Sequence, residues 1–123
     1  MIRILVIDDD PMILALVRET LELENSYDVT LALNGEDAIA SFRERPHDLV
    51  ITDVFMPGKD GLEIMQLIHR IRPRVPFIVM SGESVHIASF ALRTAARDGA
   101  AGILEKPFSP KQLIEMVHKV LEL

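Results

Sequence analysis

Four short apolar runs of this sequence each end at a side chain that could take part in phosphoryl chemistry. The run IRILVI is followed by three consecutive aspartates at positions 8–10, and LVIT is followed by Asp53. FIVM is followed by Ser81, and GILE by Lys106. Two carboxylates about 4 Å apart repel each other by ~4 kcal/mol at an effective dielectric constant of about 20. The acids at 8–10 must therefore point apart into water or hold a cation.

The residue types indicate which cation and which reaction. Carboxylates without cysteine or histidine suit a hard cation such as Mg²⁺, which binds through one or two carboxylates and keeps several waters. A carboxylate such as Asp53 can also attack phosphorus and form an aspartyl phosphate. Lys106 is a compact cation that can pair with phosphate oxygens, and the Ser81 hydroxyl can donate one hydrogen bond to them.

The apolar runs that position these groups read as strands. They are short, rich in β-branched residues and lack polar alternation, which is typical of strands buried on both faces of a parallel sheet. The predicted strands cover residues 2–7, 29–33, 49–51, 77–80 and 102–104. The second of them ends without a reactive group, so we expect it at an edge of the sheet.

Amphipathic segments with helix start signals lie between these runs. The predicted N-caps are Asp10, Asn34, Asp60 and Ser109, and a further helix is predicted from about 85 to 97. Strands alternating with helices predict a doubly wound, five-stranded (βα)5 α/β fold. Ligands of such sheets bind beyond the carboxyl ends of the strands. The acids, the hydroxyl and the ammonium are therefore expected to meet at one edge.

The segments VIDDDP, ITDVFMPGKDG, VMSG and EKPF, in this order and spacing, resemble the receiver domain of two-component response regulators, including the CheY-like chemotaxis receiver. The resemblance covers residues 1–123 as one receiver domain. It implies a flavodoxin-like sheet with strand order 2-1-3-4-5. It also implies a phosphoacceptor signalling module in a phosphorelay, whose partners are a sensor histidine kinase or histidine phosphotransfer protein and a downstream protein target.

The resemblance assigns a role to each candidate site residue. Asp53 would be the phosphoacceptor. Mg²⁺ would be held by Asp8, Asp9 and Asp53 together with the backbone carbonyl of Phe55. Ser81 and Lys106 would bind the phosphoryl group, and the resemblance implies a cis Lys106–Pro107 peptide bond.

Three further positions carry expectations of their own. Phe55 and Glu83 lie two residues after the phosphoacceptor and the hydroxyl, where the resemblance places them beside the path of the hydrolytic water. The family usually has an aromatic residue where this chain has Ile103. We expect the switch to rest on residues 82–95 instead.

The composition indicates which classes of partner and which cellular location to expect. The net charge is −6 with no basic block, which argues against direct nucleic-acid binding. There is no cysteine, and the N-terminal apolar run is too short and too acidic for a signal peptide or a membrane span. We therefore expect a cytoplasmic protein without membrane contact. The sequence is compatible with a homodimer.

Two other function classes remain as alternatives. A Mg²⁺-dependent phosphatase of the haloacid dehalogenase type would use the DxD spacing of Asp8 and Asp10, but it leaves Asp53 unexplained. A flavodoxin-like cofactor binder would place a phosphate near three carboxylates, which would repel it. Under the leading interpretation, the chain is not an enzyme with turnover. The module would only assist its own phosphorylation and dephosphorylation.

Overall fold

The computed structural model describes a five-stranded parallel sheet with helices packed on both faces. The residues it describes are 1–24, 26–54, 56, 60–82, 93, 97 and 99–123. Most of the helix predicted over 85–97 lies outside these residues, and so do Phe55, Glu83 and most of the segment 82–95 on which the switch is expected to rest.

The strands are β1 (Ile2–Ile7), β2 (Tyr27–Ala32), β3 (Leu49–Asp53), β4 (Phe77–Ser81) and β5 (Gly102–Glu105). Their order is β2-β1-β3-β4-β5 with every pair parallel, which confirms the expected topology and the edge position of β2. The predicted range of β2, 29–33, was wrong at both ends. Tyr27 and Asp28 already pair with Ile2 and Arg3 of β1, and the ladder ends at Ala32.

The helices among the described residues are α1 (Pro11–Glu22), α2 (Gly35–Glu44), α3 (Gly61–Ile71) and α4 (Pro110–Leu121). All four predicted N-caps are confirmed: each side chain accepts a hydrogen bond from a backbone N–H in the first turn. Ser109 and Gln112 complete a reciprocal capping box. None of these helices combines the length and the apolar character needed to cross a bilayer.

Alternate residues of the central strand β1 face the two apolar layers of the core. Ile4 and Val6 pack with side chains of α1 and α4, whereas Leu5 and Ile7 pack with side chains of α2 and α3. All four are fully buried, and burying such a side chain contributes about 1.5–3 kcal/mol. Because both faces of β1 are covered, the carboxyl end of this strand has a fixed place.

A buried histidine lies just before β3. His47 is fully buried, its Nε2 lies 3.1 Å from the hydroxyl of Thr30, and its ring stacks on Phe42 at a centroid distance of 5.8 Å. The side chain thus joins β2, α2 and the start of β3.

The surroundings of His47 keep its ring neutral. Burial and the positive charge of Arg3 lower the pKa of His47 from 6.5 to about 4, and the carboxylates of Asp28 and Asp48 offset only part of this. In the unfolded chain the ring has its ordinary pKa. The unfolded state therefore binds more protons between these two values, and the free energy of unfolding falls as the pH drops through that window.

We therefore expect the histidine at position 47 to make the fold acid-sensitive. Between pH 6.5 and pH 5, wild type should lose up to about 2 kcal/mol more of its unfolding free energy than His47→Gln, since one shifted group changes stability by about 1.4 kcal/mol per pH unit. Urea unfolding at both pH values measures the difference. Identical slopes for wild type and His47→Gln would refute the assignment.

Candidate functional site

The parallel sheet brings the predicted chemical groups together at its carboxyl edge. Asp53 and Ser81 are the last residues of β3 and β4, and Asp8 and Lys106 directly follow β1 and β5. The Lys106 N–H donates to the Ser81 carbonyl at 2.8 Å, which fixes the start of the Lys106 side chain beside β4. The convergence expected from the sequence is therefore present.

Three carboxylates form the acidic part of the site. Asp8 and Asp53 are buried and Asp9 is exposed. One carboxylate oxygen from each lies within 4.8 Å of the other two. A set of carboxylate oxygens, without nitrogen or sulfur, fits a hard divalent cation such as Mg²⁺.

Lys106 supplies the positive charge of the site. Its Nζ lies 2.8 Å from Oδ2 of Asp8 and 3.2 Å from Oδ2 of Asp53. Burial alone would lower the pKa of this ammonium, but the hydrogen bond to Asp8 and the charge of Asp53 outweigh burial and raise the pKa above its usual value. Lys106 is therefore held charged between the two buried acids.

The third aspartate of the run, Asp10, is bonded to the first helix. The Asp10 carboxylate accepts a hydrogen bond from the Met12 N–H at 2.9 Å and caps α1. The Asp10 N–H donates to Oδ1 of Asp8, also at 2.9 Å. The main-chain N–H of Asp10 therefore orients Asp8, and the Asp10 carboxylate caps α1. The carboxylate that a DxD phosphatase would use as its second acid is therefore bonded to the helix.

Ser81 carries a hydroxyl that is buried at the same edge. The residue is 2% exposed, and its Oγ has no hydrogen-bond partner among the described residues. An unsatisfied buried hydroxyl costs about 1–3 kcal/mol. The Ser81 hydroxyl is therefore suited to donate a hydrogen bond to a group that enters the site.

Two residues at the site were not singled out from the sequence. The Thr52 hydroxyl donates to the Asp53 carbonyl at 3.0 Å, and the Gly61 N–H donates to the Val54 carbonyl at 2.9 Å. No sequence signal marks Thr52. Gly61 follows the cap residue Asp60 in the KDG segment, which reads as an ordinary turn.

The structure also describes two positions for which the resemblance gave an expectation. The Lys106–Pro107 peptide bond is cis, as expected. Ile103 lies in β5 and is partly buried against Val54 and Val79. The position that usually carries an aromatic ring is thus filled by an aliphatic side chain packed beside the end of β3.

Comparison with known proteins identifies the family. The model of the response regulator receiver domain matches residues 4–118. The chain belongs to the response regulator receiver domain family. Among curated relatives of this receiver domain, the nitrogen assimilation regulatory protein NtrX of Azorhizobium caulinodans is 33% identical over 122 residues, which cover 97% of this chain and 26% of that protein. The transcriptional regulatory protein ResD of Bacillus subtilis is 35% identical over 122 residues, which cover 97% of this chain and 48% of ResD.

Solved structures agree with this membership. The receiver domain of NtrX from Brucella abortus has a TM-score of 0.88 at 31% identity, covering 97% of this receiver domain and 98% of that chain. The chemotaxis protein CheY4 of Vibrio cholerae has a TM-score of 0.86 at 28% identity, covering 98% of both chains. This receiver domain spans about a quarter to a half of the length of the curated relatives it matches.

The ion pairs of Lys106 should support the fold as well as the site. In EDTA at pH 7, Lys106→Met should lower the free energy of unfolding by about 3 kcal/mol, because it leaves the fully buried Asp8 without its cation. Denaturant unfolding measures this. Adding Asp8→Asn to the same chain should restore part of the loss, since the fully buried acid is then neutral although Asp53 still lacks its contact with Lys106.

A matched substitution separates this effect from the loss of any lysine. Lys111 forms an exposed ion pair with Glu115 at 3.8 Å, so Lys111→Met should change stability by less than about 1 kcal/mol. Equal losses for Lys106→Met and Lys111→Met would contradict a supporting role of the buried pairs.

Proposed function

We propose that this receiver domain accepts a phosphoryl group on Asp53 from the phosphohistidine of a sensor histidine kinase or a histidine phosphotransfer protein. A carboxylate oxygen of Asp53 attacks the phosphorus, a P–O bond forms, and the P–N bond to the imidazole breaks. The observation that supports this most is the position of Asp53: its buried carboxylate lies at the end of β3, beside two further acids and within 3.2 Å of Lys106.

Asp8, Asp9 and Asp53 are the residues that would hold Mg²⁺, and the family resemblance adds the carbonyl of Phe55, which lies outside the described residues. The cation would offset the charge of the acids and of the entering phosphoryl group. Asp8 is prepared for this role, because the Asp10 N–H already fixes one of its oxygens.

Lys106 and Ser81 would bind the phosphoryl oxygens. The Lys106 ammonium already contacts the Asp53 carboxylate, so a phosphoryl group on that carboxylate would arrive next to a fixed positive charge. The Ser81 hydroxyl is buried at the end of the neighbouring strand and could donate to the same group.

We infer that the module works as a switch rather than as an enzyme with turnover. Phosphorylation would change its binding to a downstream protein, and the site would assist only the gain and loss of its own phosphoryl group. Residues 1–123 would act as one cytoplasmic receiver domain, and Asp10, committed to capping α1, does not favour the phosphatase alternative.

The direct test is phosphorylation by a small donor. With Mg²⁺ and acetyl phosphate, wild type should gain the mass of one phosphoryl group, whereas Asp53→Asn should gain none, because the nucleophilic carboxylate is gone. Intact mass spectrometry measures both. Asp28→Asn changes an aspartate near the opposite end of the sheet and should leave the gain unchanged. Labelling of Asp53→Asn at the wild-type rate would refute the proposal.

A further inference from the structure

The start of α3 lies unusually close to the main chain of the proposed phosphoacceptor. Gly61 is the first residue of α3. A Cβ at this position would collide with the carbonyl oxygen of Asp53 and would lie 2.9 Å from the Cα of Val54. Both neighbours are backbone atoms, which cannot move aside as a flexible side chain can.

Hydrogen bonds fix the two residues that Gly61 touches. The Gly61 N–H, one of the N-terminal donors that a helix cannot satisfy internally, donates to the Val54 carbonyl at 2.9 Å. The Val54 N–H donates to the Met80 carbonyl of β4 at 3.0 Å, and the Thr52 hydroxyl donates to the Asp53 carbonyl. The Asp53–Val54 peptide is thus bonded to the sheet through its N–H, and α3 is bonded to the next carbonyl, that of Val54.

Neither backbone conformation nor helix propensity calls for glycine at position 61. Among the described residues, Gly99 is the glycine with a positive φ, so Gly61 does not need the left-handed region. Within a helix, glycine is less favourable than alanine by about 0.5–1 kcal/mol. The close approach to Asp53 is the feature of this site that alanine could not reproduce.

We propose that Gly61 is a positioning residue for Asp53. Its missing side chain lets the first turn of α3 press against the Asp53–Val54 peptide, and this fixes the direction in which the Asp53 carboxylate leaves β3. The inference rests on the proposed function, because it gives the phosphoacceptor a second support besides the sheet. A reacting group displaced by about 1 Å can lose on the order of 100-fold in rate.

The kinetic test compares Gly61→Ala with a substitution that only weakens the core. Gly61→Ala should slow phosphorylation by acetyl phosphate about tenfold to a hundredfold at saturating donor. Ile68→Val, in the buried face of the same helix, serves as the control, assayed at a temperature where both variants are folded. It should lower the melting temperature but keep the wild-type rate. A wild-type rate in Gly61→Ala, or an equal slowing in Ile68→Val, would overturn the inference.

A second measurement needs neither phosphorylation nor a folded variant. In wild type, the Gly61 amide should be protected from hydrogen exchange to within about tenfold of the Val54 amide, because both are bonded across the end of β3. A Gly61 amide that exchanges like an unprotected first-turn N–H would also overturn the inference. If wild type is not phosphorylated at Asp53, the proposed function fails, and the exchange result still decides whether the Gly61 N–H ties α3 to Val54 at the end of β3.

Discussion

The ammonium group of Lys106 lies between the carboxylates of two buried aspartates, and the carboxyl edge of the sheet depends on this contact. Asp8 and Asp53 come from neighbouring strands and are almost removed from water, so their charges would strongly oppose each other without a cation. Lys106 follows the edge strand β5 and reaches both carboxylates, at 2.8 and 3.2 Å. The site therefore combines an acid cluster with a fixed positive charge, which is a suitable setting for an incoming phosphoryl group.

The rest of the fold keeps these three side chains in register. Apolar layers on both faces fix β1 and β3, and the hydrogen bond from the Lys106 N–H to the Ser81 carbonyl fixes the base of the lysine. Asp10 caps α1 while its N–H holds Asp8. Structural contacts and chemical groups thus share the same short segments after each strand.

Much of this arrangement could be predicted from the sequence. Apolar runs of β-branched residues mark the strands, capping residues mark the helix starts, and parallel strands bring the groups that follow them to one edge. The resemblance of the motifs then named the family, which the comparisons confirm.

Other features depend on three-dimensional contacts that leave no local pattern. The start of β2 is set by pairing of Tyr27 with Ile2 rather than by hydrophobicity, so its prediction failed. The sequence also cannot show that Asp8 is buried while Asp9 is exposed, or that Gly61 approaches the Asp53 carbonyl, because these facts depend on how segments distant along the chain pack.

Thermal unfolding with and without Mg²⁺ tests whether the acids of this edge form a cation site. A ligand that binds only the folded state adds about 2.7 kcal/mol at a hundredfold excess over its Kd. Mg²⁺ at millimolar concentrations should therefore raise the melting temperature of wild type relative to EDTA. Asp9→Asn, which changes the exposed acid, should reduce this response, and Asp28→Asn should keep it. Identical melting curves of wild type in Mg²⁺ and in EDTA would show that these acids do not form a cation site.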